Sequence, residues 1–537
     1  MSTSNGKAGV SCDFDVAIVG YGPVGQCMAA MLGMAGYEVA VFERWPALYP
    51  LPRACVIDHE VMRILQGVGV ADEFSDYVVP TDGEYVWLNA KGETLYHFKY
   101  PKDGISGWPA RNLMYQPDLE AVLDRRVKTL RNVELNMGWQ ADEYIDHGTH
   151  AELSLTAGEK NAAGQWVDSN RTRRITARYV IGADGANSFV REASGLSMTD
   201  LGFRADWLVV DFRPSDPSKH LDMPQAGQIC DPARPITLMR HMGRKHVRWE
   251  MMLLPGETAA DITQPAKVWS MIDRWVGPED GVIDRAAVYT FKSAVADAWV
   301  SGRAVLAGDA AHLMPPFLGQ GLCSGMRDVA SLYWRLDLLL RGRAEPKLLQ
   351  GYEVERKQHV SAVIERAVAL GKVVCITDVD EAARRDAAIL ASKAPPIPEF
   401  PKLEVGLLHR DEKGQLGAAA GLLGMQAAVN IDGRLSRLDS VMGNGWCVLS
   451  LDQAFLDVLR PDQKQYLDQI GAHFFVVAGH PEYIDYLATL QASAVVVRPD
   501  FYLFGMAGSG APLPDVIDDL MDQMPIRLNS EALKETA

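Results

Sequence analysis

The sequence predicts an α/β fold that is interrupted by an inserted antiparallel sheet and followed by a second, smaller α/β domain. Near the N-terminus a buried strand runs into a glycine-rich turn and an apolar helix. Between residues 204 and 257 the pattern changes to alternating extended segments, and beyond residue 402 strand-like runs are separated by helical stretches. With 537 residues, 48% apolar and 23% charged, the chain has the material for two or three domains.

The first element is the strand Asp15–Val19, which leads directly into Gly20, Gly22 and Gly25 and then into an apolar helix. This order is typical of a Rossmann-like nucleotide-binding unit. The first glycine permits a tight turn, the second lets the backbone approach a pyrophosphate, and the third lets helix and strand pack closely. A second strand ends at Glu43, 18 residues after Gly25, where a carboxylate can accept hydrogen bonds from a ribose. The alternative is a glycine turn that merely packs the βαβ unit.

A second motif follows the predicted strand at residues 304–307, which delivers Gly308 and Asp309 into a loop. The carboxylate can hold a polyol hydroxyl, and the loop continues through residues 319–321 into a long helix whose N-terminus can stabilise negative charge on a reduced flavin. A third strand runs into a glycine turn that contains Asp184. Taken alone, each of these could be an ordinary strand-to-helix turn. Together with the N-terminal motif they indicate FAD.

The three ordered motifs resemble those of the single-component FAD-dependent aromatic hydroxylases, the family that includes p-hydroxybenzoate and phenol hydroxylases. The resemblance extends over roughly residues 13–375. Within the family the chain is most similar to the 3-(3-hydroxyphenyl)propionate hydroxylases, through the segments at residues 52–54, 107–109 and 231–235. The loop Pro315–Leu318, which lies beside the flavin ring in the family, is more apolar than the Pro-Val-Trp-Gln expected there.

The resemblance and the sequence pattern together predict the domain boundaries. We expect a Rossmann-like FAD-binding domain in two parts, residues 13–200 and 301–394, around an inserted substrate-binding sheet at residues 201–300. A proline-rich linker at residues 395–401 precedes a thioredoxin-like domain at residues 402–537. Because that domain has no CxxC pair, a role in packing or dimerisation is a better prediction than thiol–disulfide catalysis.

The activity implied by the resemblance is ortho-hydroxylation of a phenol to a catechol through a C4a-hydroperoxyflavin, with FAD, NAD(P)H and O2. The sequence contains no second GxGxxG fingerprint and therefore no separate nicotinamide-binding domain. NAD(P)H is thus expected to bind transiently. A phenol has a pKa near 10, and a nearby base or cation must favour the phenolate. The substrate implied is a 3-hydroxyphenylpropionate-like acid. A hydroxylase of a neutral alkyl- or acyl-phenol and a flavin-linked reductase of the same fold are open alternatives. A halogenase would need a WxWxIP segment, which does not occur, and a non-enzymatic relative would be expected to have lost the Asp309 loop.

The candidate site residues follow from the motifs and from the resemblance. Asp58 and His59 could act together as a general base or as a proton relay near the phenol, although Asp58 could equally cap the next helix. Arg53, the third candidate catalytic residue, matches the arginine of the family's loop near the pyrophosphate and the path of the nicotinamide; an exposed arginine is the alternative. The predicted substrate residues are Arg240 and Arg248, for a carboxylate, and Phe317; surface positions are the alternative for the arginines. The predicted cofactor residues are Gly20, Gly22, Pro23, Val24, Gly25, Glu43, Arg44, Arg53, Gln116, Asp184, Gly308, Asp309, Pro316, Gly319, Gln320, Gly321 and Leu322.

Composition excludes several other classes. The sequence contains no run of 18 apolar residues, and residues 1–12 lack the pattern of a secretory signal, so we expect a cytoplasmic protein without a membrane partner. A net charge of −16 spread along the chain argues against nucleic acid. Seven scattered cysteines give no support for a metal site or disulfides; most are expected to be buried, with Cys55 as the exception. A homodimer is compatible with these features.

Overall fold

The computed structural model describes residues 11–81, 84–161, 166–391, 400–508 and 510–527. They form two compact units. Unit 1 comprises the chain up to Pro50 together with Leu119–Thr199 and Val295–Leu313. Unit 2 comprises Leu51–Asp118, Asp200–Ala294 and the chain from Met314 onward. The proline-rich linker predicted at residues 395–401 lies largely outside the described residues, and the domain boundaries given above remain predictions.

Helices and strands occur along the whole of the described chain. The helices are α1 (Pro23–Met34), α2 (His59–Gly67), α3 (Ala71–Ser75), α4 (Gln116–Lys128), α5 (Phe189–Ala193), α6 (Ala259–Ile262), α7 (Pro265–Ile272), α8 (Gly321–Leu340), α9 (Leu348–Val374), α10 (Val379–Ala391), α11 (Leu438–Met442), α12 (Ala454–Asp457), α13 (Pro461–Gln469), α14 (Pro481–Leu490) and α15 (Leu513–Gln523). The strands are β1 (Phe14–Val19), β2 (Val39–Glu43), β3 (Val56–Asp58), β4 (Val79–Pro80), β5 (Glu84–Asn89), β6 (Thr94–Lys99), β7 (Arg111–Leu113), β8 (Val133–Met137), β9 (Trp139–Asp146), β10 (Ala151–Lys160), β11 (Trp166–Gly182), β12 (Met198–Pro214), β13 (Ala226–Cys230), β14 (Ile236–Met242), β15 (His246–Met252), β16 (Gly281–Ala296), β17 (Val300–Ser301), β18 (Ala304–Leu306), β19 (His312–Leu313), β20 (Ala428–Ile431), β21 (Arg434–Arg437), β22 (Cys447–Ser450), β23 (His473–Val476), β24 (Ala492–Val497) and β25 (Leu503–Gly508).

Unit 1 is built on a sheet with the strand order β17-β18-β11-β1-β2-β8. The pairs β18/β11, β11/β1, β1/β2 and β2/β8 are parallel. Val16, Ala17 and Ile18 of the central strand β1 are completely buried, as expected for a parallel strand that is covered on both faces. The predicted order of strand, glycine turn and helix is confirmed by β1 and α1.

Unit 2 contains a large sheet in which β16, β12, β15, β14, β13, β5 and β6 are neighbours in that order. Its antiparallel core, β12, β15, β14 and β13, confirms the extended segments predicted between residues 204 and 257. Strand β5 pairs with β13 in parallel and brings β6 with it. The sequence did not indicate this pairing, because about 140 residues separate the two strands and a local pattern carries no information on distant partners.

The two faces of this sheet differ in character. Alternate residues such as Val210 and Trp249 enter an apolar cluster that also contains residues of α6 and α7. The intervening residues, including Asp211 and Arg248, are buried on the opposite face. That second face therefore combines charged side chains with aromatic ones such as Trp207.

The C-terminal part of unit 2 forms a four-stranded sheet of order β23-β22-β24-β25. Strands β22 and β23 are parallel, whereas β22/β24 and β24/β25 are antiparallel. The three strand-like runs predicted beyond residue 402 are confirmed by β22, β23 and β24. Among the residues that the structure describes, no helix is both long enough and apolar enough to cross a membrane.

Candidate active site

The glycine turn of unit 1 contains two glycines that the fold itself requires. Gly20 has φ +102°, and a Cβ there would lie 2.3 Å from the carbonyl oxygen of Ala183. A Cβ on Gly25 would lie 2.1 Å from the carbonyl oxygen of Gly20. Any side chain at either position would therefore clash with the backbone.

Gly22 is different, because nothing in the fold requires a glycine there. Its φ is −74°, which any residue can adopt, and a Cβ on it would meet no atom within 4 Å. Gly22 caps the N-terminus of α1, where unpaired backbone N–H groups and the helix dipole favour an anion. The open space beside Gly22 fits a group that approaches the backbone closely, as the pyrophosphate of a dinucleotide does.

Glu43 ends β2 with its carboxylate fixed by two backbone groups. One carboxylate oxygen accepts a hydrogen bond of 2.9 Å from the amide of Tyr21, and the other accepts one of 3.0 Å from the amide of Trp45. Each oxygen retains a further lone pair that can accept from a ribose hydroxyl. The neighbouring Arg44 is exposed, with its guanidinium 4.9 Å from the ring centre of Trp45. Glu43 is thus oriented by the same turn that Gly22 belongs to.

The other predicted cofactor residues of unit 1 lie at the ends of β11 and β18. Asp184 accepts a hydrogen bond from the amide of Val190 at 3.0 Å, and it also bonds the hydroxyl of Ser188, so it organises its own turn. Burial raises the pKa of Asp184. Gly308 has φ +64° and lies beside Val24, and Asp309 follows in an exposed position of a short 3-10 turn. An exposed carboxylate at a strand end remains accessible to a polyol hydroxyl.

In unit 2 the loop that carries Arg53 is fixed through its backbone. The side-chain oxygen of Gln116 accepts hydrogen bonds from the amides of Ala54, at 2.7 Å, and Arg53, at 3.3 Å. Arg248 donates to the carbonyl oxygens of Arg53, at 2.7 Å, and Pro52, at 3.0 Å. The side chain of Arg53 itself is exposed. Gln116 and Arg248 therefore hold the loop in place while the Arg53 side chain extends from it.

Arg248, predicted to bind a substrate carboxylate, is already neutralised. It is 2% exposed, and its Nε lies 2.7 Å from a carboxylate oxygen of Asp211. Its two terminal nitrogens are taken by the carbonyls of the Arg53 loop. Because its charge and its donors are all engaged, this geometry assigns Arg248 to the support of the loop.

Asp58 has the helix-capping role that the sequence left open. Its carboxylate accepts a hydrogen bond from the amide of Val61 at 3.1 Å and lies 2.6 Å from a terminal nitrogen of Arg327. Burial disfavours the anion, but Arg327, His59 and the hydrogen bonds outweigh burial and lower the pKa of Asp58 to about 2. Burial also lowers the pKa of His59, whose Nδ1 lies 3.1 Å from the hydroxyl of Ser106. At neutral pH the pair is therefore a carboxylate next to a neutral imidazole.

The predicted flavin loop begins α8. Gln320 donates to Asp58 at 3.2 Å and accepts from Arg327 at 2.9 Å, which ties the start of this helix to the start of α2. Gly319 ends the 3-10 turn Pro316–Leu318 with φ +66°, which favours glycine. Gly321 and Leu322, which follow, are half-buried.

Phe317, in this loop, belongs to an aromatic cluster on the charged face of the sheet. Its ring centre lies 5.7 Å from those of Phe203 and Trp207. We define the aromatic cluster as Tyr85, Trp87, Tyr96, Phe98, Phe203, Trp207 and Phe317. Most of these rings are buried, and they pack on one another in edge and tilted contacts, as ring pairs favour.

Sequence reasoning missed Arg111, which begins β7 and lies against this cluster. Its guanidinium is 5.0 Å from the ring centre of Tyr85 and 5.2 Å from that of Tyr100, and it donates to the Tyr100 hydroxyl at 3.1 Å. The alternation of aromatic residues in the segment Tyr96–Tyr100 was a signal that one strand face is aromatic. No sequence signal placed Arg111 opposite that face.

Arg240 lies elsewhere on the sheet. It lines a cavity of about 200 Å³, together with His241, Phe212 and Val247. Phe212 and Val247 belong to the apolar face, whereas Arg248 is on the other one. The structure therefore brings Phe317 to the face that carries Arg248, but it does not bring Arg240 there. Cys55 is also not the exposed exception predicted: it is buried, and burial raises its pKa to about 12.

Comparison with known proteins agrees with this geometry. Residues 13–367 match the family model described as an FAD binding domain, and residues 421–523 match an HcaD C-terminal domain. The chain is 35% identical to a probable NADH-specific resorcinol 4-hydroxylase of Rhodococcus jostii, over 94% of each chain. It is 32% identical to a 3-(3-hydroxy-phenyl)propionate/3-hydroxycinnamic acid hydroxylase of Mycolicibacterium gilvum, over 87% of this chain and 80% of that protein.

The fold is also that of a solved structure, the flavin-dependent monooxygenase PieE in complex with FAD and substrate. The TM-score is 0.77 at 20% sequence identity, covering 95% of this chain and 99% of that one. The family match and the identity to the two hydroxylases together define a flavoprotein monooxygenase. The chain belongs to the FAD-dependent aromatic hydroxylases.

Proposed function

We propose that this enzyme hydroxylates a neutral phenol of the resorcinol type at a ring carbon ortho to a hydroxyl group, with NAD(P)H and O2 as co-substrates. One oxygen atom enters the ring and the other leaves as water, while NAD(P)H supplies the two electrons. Support comes from the relative named a resorcinol 4-hydroxylase, which is 35% identical over 94% of the chain. The other named activity, on 3-(3-hydroxyphenyl)propionate, requires a place for a side-chain carboxylate.

The observation that carries this choice of substrate is the state of Arg248. A carboxylate that approached it would have to displace Asp211 from a buried ion pair, which is costly in an environment of low polarity. Arg240, the other predicted carboxylate partner, lies on the opposite face of the sheet from the aromatic cluster. The face that remains is suited to a ring without an acidic side chain.

The protein residues have three tasks in this proposal. The open space beside Gly22 and the carboxylate of Glu43 fit the pyrophosphate and ribose of FAD, which supplies electron transfer and oxygen activation when it is bound. The aromatic cluster, with Phe317, fixes the plane of the phenol and excludes water from its surroundings. Gln116 and Arg248 keep the Arg53 loop in one conformation.

The experiment compares resorcinol, 3-(3-hydroxyphenyl)propionate and the methyl ester of that acid as substrates of the purified FAD-loaded enzyme. We expect resorcinol to accelerate NADH or NADPH oxidation and to yield benzene-1,2,4-triol that carries one oxygen atom from 18O2. The acid should be a poorer substrate than its ester, because neither of the two arginines predicted to bind its carboxylate, Arg240 and Arg248, is available to it on the aromatic face.

Two results would contradict the proposal. A value of kcat/KM that is higher for the acid than for both resorcinol and the ester would identify a carboxylate-bearing substrate. Rapid NAD(P)H oxidation that is indifferent to every phenol, with no hydroxylated product, would identify a reductase. The ester is the matched control, since it differs from the acid only in the charge and one methyl group.

A further inference from the structure

We propose that Arg111, together with Tyr100 and Tyr85, forms an oxyanion subsite that holds the phenolic substrate as its phenolate. This inference rests on the proposed function and adds to it the group that makes the ring nucleophilic. A phenolate is the better nucleophile toward an activated oxygen, and a phenol with an ordinary pKa near 10 is almost entirely neutral at pH 7. A fixed cation next to the phenol oxygen is one way to shift that balance.

Arg111 is half-buried, and it differs from the buried arginines of unit 2 in its lack of an acidic partner. Arg248 pairs with Asp211, and Arg327 pairs with Asp58 and Glu60. Among the residues that the structure describes, no carboxylate forms an ion pair with Arg111. Its hydrogen bond to a protein group is the one to the Tyr100 hydroxyl, and its Nε is buried without an acceptor. A guanidinium that is partly withdrawn from water, with a buried Nε that has no acceptor and without a counter-ion, points to a ligand that supplies the anion.

The surroundings of Arg111 select an aromatic oxyanion. The guanidinium lies near the rings of Tyr85 and Tyr100, which belong to or border the aromatic cluster. Tyr100 accepts a hydrogen bond from Arg111, so its own O–H is left to donate to a second oxygen. Two donors, one of them charged, can then converge on one phenolate oxygen.

The position of the subsite also fits the phenol oxygen. A terminal nitrogen of Arg111 lies 3.6 Å from the point where a Cβ on Gly319 would be. Gly319 follows directly on the turn that contains Phe317, the loop predicted to lie beside the flavin ring. Arg111 therefore borders the part of the aromatic cluster where the reacting carbon and its neighbouring oxygen would be expected, rather than a distant end of it.

The test measures the ionisation of a bound phenol without turnover. The oxidised FAD-loaded enzyme, without NAD(P)H, is titrated with 4-nitrophenol over a range of pH, and the phenolate absorbance of the bound ligand gives its apparent pKa. We expect the wild-type enzyme to bind the phenolate with an apparent pKa below that of free 4-nitrophenol. Arg111→Gln should raise this apparent pKa by about 1 to 2, a loss of phenolate of about 10- to 100-fold at a fixed lower pH.

Three further variants test whether the charge of Arg111 causes the shift in the pKa of the bound phenol. Arg111→Lys keeps the charge and should retain most of the effect, whereas Tyr100→Phe removes one donor and should give an intermediate value. Arg274→Gln is the matched control, because Arg274 also lies over an aromatic ring, 3.8 Å from the centre of Trp275, and it should leave the ligand pKa unchanged. The acid limb of kcat/KM for resorcinol should move to higher pH in Arg111→Gln and not in Arg274→Gln.

The inference is overturned if the wild-type enzyme binds the phenol in its neutral form, or if Arg111→Gln leaves both the ligand pKa and the acid limb unchanged. A loss confined to substrates with a carboxylate would assign Arg111 to that group instead. A changed flavin reduction potential with unchanged ligand ionisation would assign it to the flavin. Since ionisation is measured without turnover, failure of the proposed reaction is seen separately, in the products formed from resorcinol.

Discussion

Replacement of Gly22 by alanine tests whether this glycine is required for folding or for binding FAD. A Cβ at residue 22 would meet no protein atom within 4 Å, and the backbone there has φ −74°, so the substitution introduces neither a clash nor strain. Alanine restricts the unfolded chain more than glycine does but is a poorer helix N-cap, so we expect the free energy of unfolding of the apoprotein to stay within about 1 kcal/mol of the wild type. FAD should bind more weakly, because the methyl group occupies the space that the pyrophosphate would enter. Loss of one hydrogen bond to a charged group costs about 1.5–3 kcal/mol, which raises Kd by about 10- to 100-fold.

The assay combines urea unfolding of the apoprotein with titration of FAD by flavin fluorescence. Gly25→Ala is the contrasting control: its Cβ would lie 2.1 Å from the carbonyl oxygen of Gly20, so it should destabilise the apoprotein before any cofactor is added. If Gly22→Ala binds FAD with an affinity within threefold of wild type, the open space beside Gly22 is not the pyrophosphate site. If it unfolds as readily as Gly25→Ala, the glycine is required by the fold alone, and the reasoning from the empty Cβ position fails.

Three other expected outcomes follow from the site geometry. Asp309→Ala should weaken FAD binding by about 1.5–3 kcal/mol, the scale of a hydrogen bond to a charged group, and an unchanged Kd in the same fluorescence titration would remove Asp309 from the cofactor site. Arg248→Met should lower the free energy of unfolding by about 1–3 kcal/mol, because it leaves the carbonyl oxygens of Arg53 and Pro52 without their donor and leaves Asp211 with Arg285 as its remaining partner. Asp211→Asn should then cost less in the Arg248→Met chain than in the wild type, and additive effects would argue against the pair. The pKa of Asp58 is depressed to about 2, so its stabilising contribution, about 2 kcal/mol, is present above pH 4 and is lost as the pH falls toward 2. Asp58→Asn should therefore flatten the decrease in unfolding free energy over that range, and an unaltered pH dependence would show that the ion pair with Arg327 does not form.

The sequence predicted those features that depend on local patterns. The strand, turn and helix from Phe14 to Met34 could be read from neighbouring residues, because the glycines and the apolar run determine that unit locally. Glu43 followed from its spacing within one βαβ unit. The partners of the buried arginines could not be predicted in this way. Arg248 and Asp211 lie in neighbouring strands, 37 residues apart in sequence, and only the strand register brings them together.

The same reason explains why Arg111 was missed and why the sequence could not show on which face of the sheet Arg240 lies. Both are arginines in extended segments, and the sequence offers no measure of which one faces an aromatic cluster. The distinction depends on β7 pairing with β3 and on β5 and β6 joining the sheet through β13. An arginine becomes a ligand-binding candidate when the fold withdraws it from water and supplies no acid, and that property belongs to the tertiary structure alone.

In the C-terminal domain, by contrast, a buried arginine is neutralised by acidic residues and so contributes to packing. Arg498 forms a buried ion pair with Asp500, at 2.6 Å, and another with Glu355 of α9, which also pairs with Arg335 of α8 at 2.6 Å. Trp446 of this domain packs against Trp334 of α8, with the ring centres 5.7 Å apart. Since α8 begins at the loop that contains Gly319, the domain is packed against the helix that carries the predicted flavin loop. We therefore expect removal of these ion pairs to displace α8 and to lower the free energy of unfolding measured by urea denaturation, and a packing role for a domain without a CxxC pair stays a prediction.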